Sequence, residues 1–527
     1  MPFRFGGHFL KFILGFLPTK WINSLFTLSL RRPCAAIRNT SRVDPAVLEY
    51  LGQRKALAVF RQAWTRTPAY RDFLEKNGVR PREIASLSDF LAQVPLTTKA
   101  NYIRCYSLSA RCHNGVLPRT GSLDESAGTT ADPLNWIRDS AEDKARHPMG
   151  LATIVYLYGL GKRRPWILLN GYVLGAWAGG ARFASGMSPF GIVKNTGPDA
   201  ARIVHTIQTL GPEYDYLIGG YPPFLKELVD YGQKVPGFKW KSYCVNVLTG
   251  GEGFVEEWRD YMASRLAPGA RIYSNYGAID TDAVISTENF LTVGIKRLAA
   301  QDAGLRQALF ASERMPCYLG QYSPLDFFIH PSVSDCGARE FDVTVLSSKI
   351  ASPRIRYNVG DEGGIVPYAR MRSILEGRGY RLEEIMAHPD GFPPIPFPFL
   401  FLFGRSDGTV FFDGATISPS DIQSAILADA ELAAKVRTFK ISITEDDGTT
   451  PRPAIDLELK EGVEGEAGPK AKRVRTAVLG RLLASNSCYR KAFDRNPDGA
   501  APRVRVYSYQ TGPFKKGGDR PKFRYRP

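Results

Sequence analysis

From about residue 150 onward, short apolar runs alternate with segments of helical pattern, and this alternation restricts the chain more than any other feature. LATIVYLYG (151–159), YDYLIGG (214–220) and YCVNVLTGG (243–251) have the length and apolar character of buried strands. Residues 200–210, PPFLKELVDYG (222–232) and VEEWRDYMASRL (255–266) carry the spacing of amphipathic helices. Strands followed by helices of about 10–15 residues predict an α/β architecture around a largely parallel sheet. FDVTVLSS (341–348) reads as a later strand, paired across a turn with SPRIRYNVGD (352–361).

The flanks have a different texture. Asp44-Pro45 supplies an N-cap acid and a proline at the first helical position. Val47, Leu48, Leu51, Leu57, Phe60 and Trp64 then recur at helical spacing up to Thr67-Pro68, and a second helix closes at Asn77-Gly78. After Gly404 the pattern becomes a short hairpin, a helix from Pro419 to Ala430, then strands and a basic tail, with GVEGEAGPKAK (462–472) as a loop. These breaks divide the chain into a leader (1–43), a large α/β domain (44–403) and a small α+β C-terminal domain (404–527).

Charge follows the same division. The formal net charge is +17 over 527 residues, but residues 1–43 hold seven basic groups and no acid. Residues 469–527 hold sixteen basic groups against Asp494, Asp498 and Asp519, so the rest of the chain is slightly acidic. A basic pI alone therefore does not point to nucleic acid. The leader is apolar and basic, but Lys11 and Lys20 interrupt it before it reaches the ~18 apolar residues of a spanning helix. Two readings stand for it: a segment resting on an anionic membrane surface, or a helix packed on its own protein. Seven Cys without a CxxC pair and six scattered His give neither a disulfide framework nor zinc-ribbon spacing. A reducing, cytoplasmic compartment is the simplest expectation, with contact at a membrane periphery through residues 1–43.

Several short motifs carry chemistry. Ser126-Ala-Gly-Thr129-Thr130-Ala131-Asp132-Pro clusters hydroxyls and small residues, which lets backbone N–H groups approach a polyphosphate. Thr249-Gly-Gly-Glu252-Gly follows an apparent strand and precedes a helix, a junction that brings backbone close to an anion. Tyr276-Gly-Ala-Ile-Asp280 offers a ring to stack on a base and a carboxylate for a hard cation. In RYNVGD, Asp361 on a turn can accept two ribose hydroxyls. Arg405-Ser-Asp407-Gly lies at the composition boundary, and the tail carries Lys516 and Lys522. NGYVLGAWAGG (170–180) places Tyr172 and Trp177 among small residues, which suits either a pocket wall or close helix–sheet packing. Each motif by itself is also compatible with an ordinary turn.

In their order and separation, these segments resemble the adenylate-forming superfamily, in particular its phenylacetate–CoA ligase-like branch. The resemblance runs from about residue 67 to the C-terminus, beginning with TPAYRDFLEKNGVRPREIASLSDFLAQVPLTTK and ending with GATISPSDIQ and a terminal lysine. It implies an N-terminal domain that holds ATP and a carboxylic acid, an aryl or fatty acid, and a mobile C-terminal lid. Ser126, Thr129 and Thr130 would hold ATP phosphates, Glu252 would sit at the nucleotide and Tyr276 against adenine. Asp361 would take the ribose hydroxyls with Arg405 assisting, Asp407 would be the hinge, and Asp280 would bind Mg²⁺. Lys522 would be the catalytic lysine meeting the α-phosphate, with Lys516 the alternative, and Tyr172 and Trp177 would line the acid pocket. The acyl-adenylate would pass to a thiol, CoA first among them. Alternative acceptors are a protein, a carrier, an amine or a sugar. Ala131-Asp132 stands where the family usually has Gly-Lys, and Ile279-Asp280 where it usually has Ser/Thr-Glu. These departures keep open a non-catalytic relative that binds a membrane or nucleic acid through its basic ends.

Overall fold

A computed structural model describes residues 32–126, 134–159, 164–172, 174, 178–251, 253–254, 256–281, 283–333, 339–385, 388–405, 410–412, 415–417, 419–445, 451–463, 467–485, 489–490, 493–494 and 497–515. Nineteen strands are present among them. A hairpin, β1 (Gly121–Ser126) and β2 (Leu134–Asp139), precedes β3 (Trp166–Asn170), β4 (Ile192–Asn195), β5 (Asp215–Gly220) and β6 (Cys244–Gly250). Then come β7 (Ile272–Ala278), β8 (Ala283–Thr287), β9 (Tyr318–Gln321), β10 (Phe327–Val333), β11 (Arg339–Val345), β12 (Tyr357–Asn358), β13 (Asp361–Val366) and β14 (Phe399–Arg405). The C-terminal part carries β15 (Val410–Phe412), β16 (Ala415–Ile417), β17 (Val436–Glu445), β18 (Pro451–Leu459) and β19 (Arg503–Tyr507).

The central sheet has nine strands in the order β13-β14-β9-β8-β7-β6-β5-β3-β4. β4, β3, β5, β6 and β7 pair in parallel, and the pairings from β7 through β8, β9 and β14 to β13 are antiparallel. The inner parallel strands β3, β5 and β6 are buried on both faces, which is why β3 reads WILLN and β6 reads CVNVLTG as near-continuous apolar runs. Helices Ala200–Leu210, Pro222–Lys234 and Glu256–Arg265 connect these strands as expected. Their apolar residues meet the sheet in a core of Ile203, Ile207, Leu225, Leu228, Trp258 and Met262. β11 pairs with β12 through Val343 and Tyr357, as the sequence suggested for FDVTVLSS and SPRIRYNVGD.

Two sequence expectations are corrected. LATIVYLYG is not a strand but the C-terminal half of a 19-residue helix, Ser140–Tyr158, capped by Asp139 accepting from the Ala141 N–H at 2.8 Å. A short apolar run does not distinguish a buried strand from a buried helix, and here Ala152 and Ile154 to Tyr158 are all buried. Part of GVEGEAGPKAK is helical, since helix Ala467–Ser485 begins inside it. Pro469 falls in the first turn, where its missing N–H has no intrahelical partner to lose.

The N-terminal elements follow the sequence closely. Helix Pro45–Arg66 is capped by Asp44, whose Oδ1 accepts from the Ala46 N–H at 2.8 Å, and Pro68–Lys76 follows. Within the leader, residues 1–31 lie outside the described residues, but Pro33–Thr40 is a helix. It packs on its own protein: Ala36 meets Ala152, and Ile37 joins the core with Ile154, Val155 and Tyr158. Among the described residues no helix is long and apolar enough to cross a membrane.

β17, β18 and β19 form a separate three-stranded sheet. With helices Pro419–Ala428 and Ala467–Ser485 it encloses its own core of Ile422, Ile441, Ile455, Leu457, Val474, Val478 and Leu482. This unit touches the large sheet's layer at helix Pro222–Lys234. There the Lys226 ammonium donates to the Ala433 carbonyl at 2.7 Å, and Lys460 pairs with Asp230 at 2.7 Å.

Candidate functional site

The C-terminal ends of the parallel strands, where ligands of open α/β sheets commonly bind, gather the described candidates. β6 and β7 run side by side with Thr249 opposite Ser274 and Gly250 opposite Asn275. The Thr249 hydroxyl and the Asn275 side-chain oxygen Oδ1 are buried and have no hydrogen-bond partner among the described residues. Buried polar atoms are nearly always satisfied, so a pair left open at one strand edge points to a ligand there. The turn after β6 depends on its glycines: Gly251 has φ +83°, and a Cβ on Gly253 would lie 2.6 Å from the Cys317 sulfur.

Tyr276, two residues from the end of β7, donates its hydroxyl to Asp361 Oδ2 at 2.6 Å. Asp361 opens β13 and stands opposite Arg405 of β14 in register. The neighbouring Glu362 is gripped by both terminal nitrogens of Arg314, at 2.8 and 3.3 Å. The structure thus brings together Tyr276, Asp361 and the backbone of Arg405, three positions separated by 129 residues in sequence.

Asp280 lies in the short turn Ile279–Thr281 that follows β7, packed against β1, and is 6% exposed. Its Oδ2 meets the Lys99 ammonium at 2.8 Å and accepts from the Tyr357 hydroxyl at 3.0 Å. Local backbone explains why these two reach one oxygen. Thr97 bridges to Tyr357, with its N–H donating to the Arg356 carbonyl at 3.0 Å and its carbonyl accepting from Asn358 at 2.9 Å. Arg356 holds a left-handed conformation at φ 45°, fixed by its guanidinium donating to the carbonyls of Leu91 (2.7 Å) and Val94 (2.6 Å). Arg354, 2% exposed, donates to the Asp280 carbonyl at 2.5 Å.

Mg²⁺ was the expectation at Asp280. Among the described residues, no three His, Cys, Asp or Glu side chains gather as a metal site. The Asp280 carboxylate itself is held by an ammonium and a phenol. Lys99, Tyr357 and Arg354 were not singled out from sequence, although all lie inside the quoted segments PLTTK and SPRIRYNVGD.

Tyr172 is 8% exposed and packs edge-on to Tyr221, with centroids 4.9 Å apart. Its hydroxyl donates to the Leu248 carbonyl at 3.4 Å, and burial raises its pKa above the usual phenol value. The ring also packs on Phe183, with centroids 5.7 Å apart, in the core that includes Leu248 of β6. The backbone of Ser126 ends β1, opposite Leu134, so residues 127–133 join the tips of that hairpin. Thr129, Thr130, Ala131, Asp132, Trp177, Glu252, Asp407, Lys516 and Lys522 lie outside the described residues, as do the side chains of Ser126 and Arg405.

Beneath the β6–β7 edge lies a buried charge network. Arg259 donates to Glu288 at 2.8 Å and to Glu256 at 2.9 Å, and Lys296 pairs with Glu256 at 3.0 Å. Burial would raise the Glu256 carboxyl, but Lys296 and Arg259 outweigh it and hold the group far below the usual carboxylate range.

The fold, a large mixed sheet layered with helices and followed by a small α+β unit, is shared with solved structures of a CoA ligase. The chain is similar to 2-hydroxyisobutyryl-CoA ligase in its postadenylation state with 2-HIB-AMP, at TM-score 0.58 and 17% identity over 90% of this chain and 89% of that one. The same ligase with R3-HIB-AMP gives TM-score 0.59 and 16% identity over 92% and 90%. Its open conformation with 2-HIB-AMP and CoA gives 0.51 and 17% over 92% of each chain. No family model matches the sequence, and no curated protein matches it.

Proposed function

We propose that the chain is an ATP-dependent carboxylate ligase that forms an acyl-adenylate and passes the acyl group to a thiol, CoA being the leading acceptor. The observation that carries this reading is the Tyr276–Asp361 hydrogen bond at the strand ends. It sets an aromatic ring beside a carboxyl group of the kind that can accept ribose hydroxyls, in a fold shared with a ligase solved with acyl-AMP and CoA. The unsatisfied Thr249 and Asn275 atoms on the neighbouring strand ends support a ligand at that edge. Within this reading Ser126, Thr129 and Thr130 hold phosphates, Glu252 and Arg405 flank the nucleotide, and the wall at Tyr172 continues with Trp177 around the acid. Residues 404–527 act as the lid, with Asp407 at its hinge and Lys522 as its catalytic lysine. The phenylacetate–CoA ligase-like pattern of the motifs favours an aryl or fatty acid as substrate.

ATP–pyrophosphate exchange over a panel of carboxylic acids, followed by CoA and other acceptors, tests the reaction. Acid-dependent exchange is the expected result. No exchange with any acid, together with no ATP binding, would refute the enzyme. Asp361→Asn is expected to raise KM for ATP roughly 10- to 100-fold, the scale of a lost charge-assisted hydrogen bond, while KM for the acid changes little. A KM for ATP equal to wild type would remove Asp361 from the nucleotide.

A further inference from the structure

The C-terminal unit meets the large domain across a seam in which charge is unevenly matched. Helix Pro222–Lys234 supplies Lys226 and Asp230 from the large domain, and Lys460, one residue past β18, reaches across from the C-terminal unit. Both ammoniums meet the same oxygen, Asp230 Oδ2, Lys460 at 2.7 Å and Lys226 at 3.0 Å. Tyr261 of helix Glu256–Arg265 donates its hydroxyl to the other oxygen, and its ring centroid lies 4.6 Å from the Lys226 ammonium. Lys226 in turn donates to the Ala433 carbonyl at 2.7 Å, in helix Ala430–Lys435 of the C-terminal unit. The side chains of Lys226, Asp230 and Lys460 are 12%, 13% and 20% exposed, so salt and water screen them little. The packed elements carry further charge: Arg437 meets Glu458 at 2.9 Å and Glu227 at 4.0 Å, Lys435 pairs with Glu431, and Arg265 lies over the Tyr261 ring. Leu427 of helix Pro419–Ala428 adds an apolar contact with the large-domain core that contains Trp258 and Met262.

Two ammoniums on one carboxylate leave a positive excess at the seam, and this excess exists only while the units are docked. Burial pulls the Lys226 ammonium down to about 8, against the effect of Asp230 and with Lys460 adding to the fall. Undocking removes Lys460 and the Ala433 cover, so Lys226 returns toward the ordinary lysine value of about 10.5. Its value is lower docked than undocked, so docking releases a proton in that window, and the docked form gains as pH rises through it. The Tyr261 hydroxyl stays protonated there, since burial and its bond to Asp230 raise it. We propose that Asp230 and Lys460 form a latch between the two units and that the proton on Lys226 sets its strength, so that the C-terminal unit docks more tightly in mildly alkaline than in neutral solution. The contact stands apart from any reaction; its use in turnover rests on the lid reading, and the test separates the two.

Thiol labelling of the full chain carrying Leu427→Cys reads the latch, because a cysteine at this position reacts at its full rate only when the seam opens. The rate is located by peptide mass spectrometry and divided by that of an unfolded peptide at the same pH. In this parent the normalised rate is expected to fall roughly 10-fold between about pH 7 and about pH 9. Adding Lys226→Met should abolish the slope and hold the rate within about 2-fold across the range, whereas a side chain that only packs would shift the profile and keep its slope. Asp230→Asn and Lys460→Met should each raise the rate roughly 10-fold at about pH 9. The two together should raise it no further, since both remove one contact. Lys460→Met changes only the C-terminal side and keeps the test decisive if Asp230→Asn lowers the melting temperature. A flat or rising profile in the parent, or an equal slope with Lys226→Met, would overturn the proton link. Additive effects in the double variant would overturn the Asp230–Lys460 latch, and a parent that labels at the peptide rate would overturn the docked seam. ATP–pyrophosphate exchange is scored on the same samples: labelling as expected with no exchange for any acid keeps the latch and refutes the lid reading.

Discussion

Glu288→Ala is expected to destabilise the large domain by about 3–5 kcal/mol, the cost of breaking a buried ion pair by removing one partner. The Glu288 side chain is 1% exposed, and it accepts from Arg259 at 2.8 Å and from the Ser274 N–H at 2.9 Å. Removal strands Arg259 and Lys296, whose side chains are 6% and 2% exposed, with Glu256 the one carboxylate paired to both among the described residues. It also frees the Ser274 N–H at the point where β7 approaches the site. Denaturant unfolding checks this through a lower midpoint at unchanged slope, followed by a signal confined to the large domain, because two units need not unfold together. The double variant Glu288→Gln/Lys296→Met should recover part of the loss, since it removes one charge of each sign. A Glu288→Ala midpoint within error of wild type would show that the network is not structural. Acid acts on the same residues. Glu256 has a depressed carboxyl in the folded chain, so its contribution is present above the unfolded glutamate value of about 4.5 and is lost as pH falls below it. Unfolding on acidification should therefore begin below about pH 4.5 in this domain, and Glu256→Gln should flatten that part of the profile.

Much of the fold was legible because periodicity and punctuation agree along the parallel half of the sheet. Gly, Pro and Asp mark the starts and ends of the elements around β5 and β6, and the helices between them have clear apolar faces. LATIVYLYG misled because both of its possible structures are buried, and composition alone cannot choose between them. Helix Ala467–Ser485 was not foreseen, because a first-turn proline resembles a loop signal. Among the motif positions, Tyr276 reaches Asp361, and Asp361 pairs through the backbone with Arg405. The contact between Lys99 and Asp280 was not legible, because the two lie 181 residues apart. The contact depends on the bridge from Thr97 to Tyr357, a tertiary pairing of two irregular segments without a periodic signature.

Lys522→Ala is expected to lower adenylation roughly 10²- to 10³-fold, the scale for losing one charge-stabilising donor. A carboxylate attacking ATP brings two anions together, and charge on the α-phosphoryl group grows as pyrophosphate leaves. On the proposed reading, a lysine on the C-terminal unit would add charge only while that unit is docked for the first half-reaction, and would leave with it afterwards. The concentration of basic residues in 469–527 fits such a partner for a polyanionic nucleotide. The two halves of the reaction should therefore respond differently to the variant. ATP–pyrophosphate exchange should fall by the full factor, while thioester formation from chemically prepared acyl-adenylate and CoA should stay within a few-fold of wild type. Lys516→Ala, six residues away, serves as the matched control and should leave exchange nearly intact. A full-strength exchange in Lys522→Ala with a collapse in Lys516→Ala would transfer the role to Lys516. Equal losses in both half-reactions would mean that the tail is needed for folding or docking of the C-terminal unit rather than for charge at the phosphoryl group.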